Sequence, residues 1–582
     1  MIRQSWRLSR LQWLLVLGAA ASFAVAIWDL AEGGFYFRVF GIRVSSWEAY
    51  KPIRNGVICG IVALCLRDRV AARTTWAALS ARATAVAAAA VILSTILALR
   101  YGIYAAGGAD AFGYVSQSYL WASGRLLWRD PFVSLAPVLG SAITPLGYTL
   151  SHTRAAFVPI YPAGLPLTMA VASRIAGAQA VYLVVPLLGG LTVWLTYVLG
   201  SRVVDRATGM VAAVLVAFSP IFVFQTLEPM SDVPVTAWWL AAFVSALSTR
   251  KWSALLAGAA VSIAVLTRPN LLPLSLPIAC LLAAGDGRVS RLALFAAGAA
   301  PGCAILLALN AYWYGSALRS GYGPLDTLYG WGHAVPNLRN YGAWLVELHS
   351  PGVVLAIAGP VFKRIAALGA MLAFLAILLL SYLFYLVFDN WTFLRFLLPG
   401  LPILFIFAAA ALVGVIERLP HAVRGATAVI VLALIPLSFL VTADQRQVFD
   451  IGRAERRYLA VGEFIGYRLP ANAVVLTMIQ SGSVRLYGAR PTLRWDVIEP
   501  ARLEGAIDAL KARGYVPYIL LEHWEEPRFR ERFATATPLG VLDWPPAVRY
   551  FGLSDTRIYS PDDRDRHLRG DAILPLVVPF HE

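Results

Sequence analysis

The chain has 582 residues, of which 59% are apolar and 14% are charged, whereas a soluble chain is roughly 45–50% apolar and 25% charged. A water-soluble protein is therefore excluded. The net charge of +16 lies entirely in residues 1–443, because residues 444–582 hold 19 basic and 19 acidic residues. The sequence predicts a basic transmembrane domain, 1–443, and a small water-soluble α/β domain, 444–582.

Thirteen apolar segments approach the length of about 17–25 residues that a helix needs to cross a bilayer. They are 12–30, 52–66, 83–99, 179–200, 208–226, 233–249, 252–267, 271–285, 292–312, 350–362, 365–388, 396–416 and 425–442. The predicted fold is thus a polytopic α-helical membrane protein with about thirteen transmembrane helices. The segments 52–66 and 350–362 are the two weakest of the set.

The basic residues of the membrane domain concentrate in every second connection. The N-terminus and the connections 67–82, 201–207, 250–251, 286–291, 363–364 and 417–424 together contain 17 Lys and Arg residues. Short basic connections face the cytoplasm in membrane proteins. We therefore expect a cytoplasmic N-terminus and an extracytoplasmic C-terminal domain.

The connection 100–178 is far longer than the 2–8 residues that usually join packed helices, and such loops are usually functional. It begins with Asp110 and Tyr114, followed by a predicted amphipathic helix, 112–128, on the membrane surface. A helix-capping carboxylate is the alternative explanation of Asp110. The proline-rich stretch 153–176 is interpreted as a surface or re-entrant segment.

Further polar residues lie at helix ends on the same predicted outer side. Glu228 and Asp232 share one short acidic turn, and Arg268 ends a span. Charges at membrane depth tend to mark function. Asp232 is also explained as a first-turn carboxylate stabilised by the helix dipole, and Arg268 as an interfacial anchor.

The connection 313–349 is rich in glycine and aromatic residues and contains Arg319, Tyr322 and His333. The next outer connection runs to Arg395. Aromatic rings and guanidinium groups suit a sugar and a phosphate, although an interfacial aromatic belt has the same composition. His333 is more simply explained as a loop histidine.

The C-terminal domain shows strand and helix patterns in alternation. Residues 473–477 and 518–521 are predicted strands, a Ser/Gly turn precedes 484–486, and 502–513 is a predicted helix. Acidic residues cluster at 522–526 after the second strand, and we interpret them as acidic surface. Phosphate-loop, zinc-protease and serine-hydrolase motifs are missing from the sequence, and the basic excess in short connections gives no support to nucleic-acid binding.

Taken together, these motifs resemble the GT-C membrane glycosyltransferases, in the branch of the protein O-mannosyltransferases and the lipid A aminoarabinose transferases. The resemblance rests on the early outer-loop aspartate, the Ser-Asp at the head of a later span, and the segments LTRPN, NAYWYGSALRSGYG and RFLLPGLPILF. It implies a polyprenyl-phosphate sugar donor, a location in the bacterial inner membrane, and a glycan, lipid or protein acceptor on the extracytoplasmic face.

By this resemblance, Asp110 corresponds to the catalytic aspartate, Glu228 and Asp232 to the second acidic turn, and Arg268 and Arg319 to contacts with the donor phosphate. Arg395 is a further candidate for the phosphate, and Tyr114, Tyr322 and His333 are candidates for substrate binding. No metal ligands are predicted, although a divalent cation stays open as a cofactor.

The chemistry expected of these residues is a single displacement with inversion, in which Asp110 is the general base. Three alternatives remain: a flippase or transporter of lipid-linked sugars, a ligase or polymerase that uses a diphosphate-linked donor, and a sensor or structural protein with an outer domain. A sensor or structural protein would consume no such donor.

Overall fold

The computed structural model describes residues 10–32, 34–39, 42–46, 50–65, 69–284, 286–551 and 555–579. The basic residues Arg3, Arg7 and Arg67, on which the predicted orientation partly depends, lie outside these ranges. In the described part, residues up to Gln445 are mostly helical, and a mixed sheet with its own helices follows.

The N-terminal half contains helices α1 to α12 and two hairpins. The helices are α1 Arg10–Glu32, α2 Tyr50–Cys65, α3 Arg69–Ala81, α4 Ala83–Tyr101, α5 Asp110–Ala122, α6 Ala136–Leu139, α7 Gly164–Ala176, α8 Val184–Val203, α9 Arg206–Phe218, α10 Pro220–Leu227, α11 Asp232–Ala246 and α12 Lys251–Thr267. The antiparallel hairpins are β1 Phe35–Val39 with β2 Ile42–Ser46, and β3 Tyr148–Leu150 with β4 Phe157–Pro159.

The second half of the membrane domain contains α13 Ser275–Ala283, α14 Arg288–Tyr314, α15 Ala334–His349, α16 Leu355–Phe362, α17 Leu368–Leu383, α18 Leu401–Arg418 and α19 His421–Gln445. A 3₁₀ helix, Trp391–Gly400, leads into α18. Each of the thirteen predicted apolar segments falls on one or more of these helices.

Among the described residues, six helical segments are long and apolar enough to cross a membrane, or eight if each bent pair forms one span. In one pair α9 and α10 meet at 58°, and in the other α15 and α16 meet at 113°. The second bend coincides with the weakly predicted segment 350–362, where Ser350 has a φ of +63° before Pro351. The count of thirteen spans stays a prediction.

Three connections with the same predicted orientation meet at one end of the helical bundle. Lys363 Nζ lies 3.0 Å from Asp205 Oδ2 and 2.5 Å from Glu417 Oε2. Asp205 also caps α9 by accepting a hydrogen bond of 2.8 Å from the amide of Thr208. The alternation of connections inferred from basic residues therefore agrees with the packing of this end.

The connection after α4 packs inside the protein. Helix α5 ends at Ala122, short of the predicted 128, and buries Phe112, Tyr114 and Val115. The expectation of an amphipathic helix on the membrane surface was therefore wrong. The proline-rich stretch 153–176 forms β4 and α7, whose residues Phe157 and Leu165 are also fully buried, because α7 packs along α5.

The C-terminal region contains α20 Ile451–Arg468, α21 Ser481–Gly488, α22 Leu503–Lys511, α23 Glu525–Phe533 and α24 Pro561–Leu568. Its strands are β5 Ala473–Leu476, β6 Thr492–Leu493, β7 Val516–Glu522, β8 Val548–Phe551, β9 Thr556–Tyr559 and β10 Leu576–Pro579. They form a six-stranded mixed sheet in the order β10-β8-β9-β7-β5-β6. The predicted strands 473–477 and 518–521 and the predicted helix 502–513 correspond to β5, β7 and α22.

The hydrophobic core of this sheet extends into the first long connection. Phe112, Phe132 and Phe157 from that connection belong to the same buried cluster as Leu476 and Phe529. An ion pair joins the two segments as well, with Arg485 Nη1 2.6 Å from Asp130 Oδ2. The C-terminal region and the connection that carries Asp110 therefore fold as one packed unit.

Candidate functional site

A cluster of charged and hydroxylated side chains lies at the end of the bundle opposite Lys363. Its members are contributed by helix ends and connections that are far apart in the sequence: Asp110, Tyr114, Tyr161, Ser231, Asp232, Arg268, Tyr382 and Arg395. We call this set the polar cluster. Asp110, Asp232 and Arg268 lie at helix ends. The tyrosines Tyr114, Tyr161 and Tyr382 belong to the buried core of the bundle, so the cluster joins the helix ends to that core.

Asp110 is the first residue of α5. Its Oδ1 accepts a hydrogen bond of 2.5 Å from the hydroxyl of Tyr161, and its Oδ2 lies 3.2 Å from Arg395 Nη2. About a third of the side chain, 32%, is exposed. Two donors fix the orientation of the carboxylate, and the exposed part leaves its remaining lone pairs accessible to a substrate hydroxyl.

Arg268 follows the last residue of α12 and donates to three partners. Nε donates to Ser231 Oγ at 3.1 Å, Nη1 to the hydroxyl of Tyr382 at 3.1 Å, and Nη2 to Asp232 Oδ1 at 2.6 Å. A guanidinium group has five N–H donors, so two have no partner among the described residues. Arg268 is thus fixed in orientation and still able to bind an anion.

Asp232 and Tyr114 complete this arrangement. Asp232 begins α11 with a side chain that is 0% exposed, and its Oδ2 has no hydrogen-bond partner in the described part of the chain. The hydroxyl of Tyr114 donates to Ser231 Oγ at 3.0 Å. The alternative explanation of Asp232 as a helix-dipole carboxylate holds for its position, but its main partner is the buried Arg268.

Arg395 contacts Asp110 and the residue that precedes Ser231. Its Nη1 donates to the sulfur of Met230 at 3.2 Å while Nη2 contacts Asp110, and its guanidinium lies 5.0 Å from the ring centre of Phe393. Its Nε is buried and has no acceptor within the described ranges. Like Arg268, Arg395 therefore has a spare donor for a negatively charged ligand.

An apolar cavity of about 260 Å³ borders the segment that carries Arg395. Leu394, Leu397 and Leu398, which flank Arg395 in sequence, line it. The opposite walls come from α15 and α17, with Tyr341, Leu345 and Leu378 among their residues. The cavity therefore shares the 3₁₀ helix Trp391–Gly400 with Arg395, and its apolar walls suit a hydrocarbon chain.

The remaining predicted site residues lie at different distances from the cluster. The ring of Tyr322 lies 6.1 Å from that of Tyr161 in an edge-to-face arrangement. Arg319 is exposed and forms no ion pair or hydrogen bond with the polar cluster in the described part of the chain. His333 Nδ1 lies 3.2 Å from the carbonyl oxygen of Phe384. The structure therefore brings Tyr322 to the cluster but neither Arg319 nor His333.

Sequence reasoning did not identify Tyr161 and Tyr382 as members of the site. Tyr161 lies in the proline-rich stretch that was interpreted as a surface or re-entrant segment, and Tyr382 lies inside a long apolar segment. A tyrosine within an otherwise aliphatic span was the only available signal for Tyr382, because its hydroxyl needs a partner when buried.

Glu228 lies in the connection between α10 and α11, beside the cluster. Burial raises the pKa of its carboxyl to about 8, although the nearby Arg395 acts in the opposite direction. Among the described residues, no group of three or more His, Cys, Asp or Glu side chains is arranged to hold a metal ion. Asp110 and Asp232 are paired with arginines.

Replacing Glu228 by Gln is expected to leave at least about half of the turnover at pH 7, because a group with a pKa near 8 is mostly neutral there. Above pH 8 the carboxyl of Glu228 ionises, whereas the amide of Gln does not. The turnover of the native protein and of the variant should therefore differ only in that pH range. Turnover measured from pH 6 to 9 tests this. A loss of more than tenfold at pH 7 would show that the charged form is needed.

Comparison with known proteins matches part of the chain to a protein family. The family described as dolichyl-phosphate-mannose-protein mannosyltransferase matches residues 156–313, a segment that includes Tyr161, Asp232 and Arg268. No curated protein sequence matches the chain significantly.

Two solved structures share the fold over most of the chain. ArnT from Cupriavidus metallidurans, bound to undecaprenyl phosphate, is 12% identical with a TM-score of 0.51, and the match covers 83% of this chain and 98% of that one. The oligosaccharyltransferase of Archaeoglobus fulgidus in its apo form is 13% identical with a TM-score of 0.52, and the match covers 80% of this chain and 73% of that one. These identities establish the fold alone.

The family match and the shared fold together confirm the resemblance to the GT-C glycosyltransferases. The chain is accordingly a membrane protein and an enzyme of the glycosyltransferase class. Its donor, acceptor and catalytic residues are a separate question.

Proposed function

We propose that this protein transfers a sugar from a polyprenyl-phosphate donor to an acceptor hydroxyl at the extracytoplasmic face of the bacterial inner membrane. The single observation that carries the proposal is the juxtaposition of an accessible carboxylate, Asp110, with two arginines that have spare donors, beside a cavity lined by leucines. A long isoprenoid chain needs such an apolar surface, and its phosphate needs such cations. ArnT of Cupriavidus metallidurans holds undecaprenyl phosphate, which agrees with a ligand of this class.

In the proposed mechanism, Asp110 accepts the proton of the acceptor hydroxyl. The acceptor oxygen then forms a bond to the anomeric carbon while the bond from that carbon to the phosphate oxygen breaks. Arg268 and Arg395 stabilise the negative charge that develops on the departing lipid phosphate. One displacement without a covalent intermediate inverts the anomeric configuration. The hydroxyl of Tyr161 holds the carboxylate in place by its 2.5 Å hydrogen bond.

The orientation and the domain boundary at residue 443 belong to the same proposal. If the connections around Lys363 face the cytoplasm, the polar cluster and the C-terminal sheet lie on the opposite side. A lipid-linked donor on that side must be made elsewhere and moved across the bilayer before this enzyme uses it.

The test is a transfer assay with purified protein in lipid nanodiscs. Undecaprenyl phosphate carrying radiolabelled mannose, glucose, arabinose or aminoarabinose is supplied, and release of free undecaprenyl phosphate is measured. The proposal predicts release with one of these donors and an inverted product. Release only from a diphosphate-linked donor would favour the ligase alternative, and movement of the intact donor across the bilayer without release would favour a flippase.

A further inference from the structure

The backbone turn that precedes Asp110 is in direct contact with a tyrosine of the C-terminal region. A Cβ atom on Gly107 would lie 1.8 Å from Cδ2 of Tyr458 and 2.3 Å from its Cε2. The ring of Tyr458, which belongs to α20, therefore rests on the main chain of Gly107, and only glycine permits that approach. The carbonyl oxygen of Gly107 accepts a hydrogen bond of 3.2 Å from the amide of Phe112. The contact between Tyr458 and Gly107 therefore affects the position of the first turn of α5.

Tyr458 is held by a buried ion pair. Arg457 Nη2 donates to its hydroxyl at 2.9 Å, and the guanidinium lies 4.2 Å from its ring centre. Nε of Arg457 lies 3.0 Å from Glu522 Oε1, and Glu522 is 1% exposed. The expectation that residues 522–526 are acidic surface was therefore wrong, because Arg457 of α20 covers the end of β7.

Glu522 has further donors that fix its position. Trp524 Nε1 donates to Oε2 at 2.8 Å, and Gln480 Nε2 donates to Oε1 at 3.1 Å. With Arg457, three donors satisfy this buried carboxylate, which makes it a rigid anchor. Movement of Tyr458 would require this network to reorganise.

A second pair of contacts holds the residues on either side of Asp110. The amide of Ala106 donates to the hydroxyl of Tyr487 at 2.8 Å. A Cβ on Gly482 would lie 2.2 Å from Cδ1 of Phe112, so the N-terminus of α21 packs directly on that ring. The segment 106–112 is therefore clamped by α20 and α21 together.

We propose that Tyr458 is a positioning residue for Asp110, through which the C-terminal region completes the active site. The inference rests on the proposed function of Asp110. A base must be held at hydrogen-bond distance from the proton that it accepts, and a misplacement of about 1 Å can cost on the order of 10²-fold in rate. Arg268 belongs to another connection and pairs with Asp232, so its binding of lipid phosphate is independent of Tyr458.

The test compares Tyr458→Ala and Tyr458→Leu with Tyr458→Phe, which keeps the ring. We expect the first two to lower kcat by about tenfold or more and to leave the Kd for undecaprenyl phosphate within about twofold. Tyr458→Phe should keep most of the native kcat. Tyr467→Ala is the matched control, because Tyr467 lies on the same helix and is 89% exposed. A wild-type kcat in Tyr458→Ala would overturn the proposal.

A size exchange tests the contact itself. Gly107→Ala alone should lower kcat and the melting temperature, because the new methyl group collides with the ring. Combining it with Tyr458→Ala removes the collision, so the double variant should be no worse than Tyr458→Ala. Additive losses would overturn the inferred contact.

Hydrogen exchange separates this proposal from the proposed function, because it needs no substrate. Tyr458→Ala should speed exchange at the amides of Phe112 and Gly113, which donate to Gly107 and Ala109. Unchanged exchange would overturn the positioning role. If Tyr458→Ala speeds exchange but the native protein transfers no sugar, the contact between Tyr458 and residues 106–112 is supported. Only the proposed role of Asp110 as a base is then refuted.

Discussion

Replacing Asp110 by Asn is expected to reduce sugar transfer by about 10²- to 10⁴-fold, the usual contribution of a general base. Asparagine is close in size and can still accept the hydrogen bond from Tyr161, but it cannot take a proton from the acceptor. The affinity for undecaprenyl phosphate should stay within about threefold of the native value, because Arg268 is untouched. Single-turnover rates and lipid binding, measured on the same preparation, separate these effects.

The matched control for this substitution is Asp326→Asn. Asp326 lies in the exposed connection before α15 and should tolerate the same chemical change without loss of rate. Near-native turnover in Asp110→Asn would remove Asp110 as the base. A parallel loss of lipid binding and rate would instead assign Asp110 to the orientation of Arg395, which lies 3.2 Å away.

Replacing Arg268 by Gln is expected to weaken binding of undecaprenyl phosphate by about 10- to 100-fold, since hydrogen bonds to charged groups contribute roughly 1.5–3 kcal/mol. The same change leaves the carboxylate of Asp232 buried without its ion-pair partner. Breaking a buried pair on one side costs about 3–5 kcal/mol. The melting temperature in detergent should therefore fall together with the affinity.

A second substitution separates stability from binding. Asp232→Asn combined with Arg268→Gln removes both buried charges, so the melting temperature should recover most of its loss. The affinity for lipid phosphate should stay low, because the guanidinium is still missing. Recovery of binding in the double variant would contradict a direct contact between Arg268 and the phosphate.

Much of the candidate site could be predicted before the fold was known. Asp110, Asp232, Arg268 and Arg395 are rare charges in an apolar chain. The first three lie at helix ends, and Arg395 lies in the 3₁₀ helix that leads into α18. Basic connections at the other helix ends indicated that these four share one side. The sequence singles these residues out because the free-energy cost of placing a charge in lipid restricts charges to a few positions.

The partners of these residues could not be predicted. Arg395 is 285 positions from Asp110 and Tyr161 is 51 positions away. Local patterns predict the exposure of a segment considered by itself. On that basis Glu522 was assigned to the surface, and the segment of Tyr161 to the surface or a re-entrant position. Each is covered by an element from elsewhere in the chain.

The sequence by itself determined that this is a helical membrane protein with its few charges gathered at helix ends, because hydrophobicity and charge are local properties with a large free-energy cost in lipid. Only the tertiary structure decided which of those charges meet, that a leucine-lined cavity adjoins them, and that Tyr458 rests on Gly107 next to Asp110. Such contacts depend on the complementary shapes of segments that are far apart in the sequence, and local sequence patterns do not predict them.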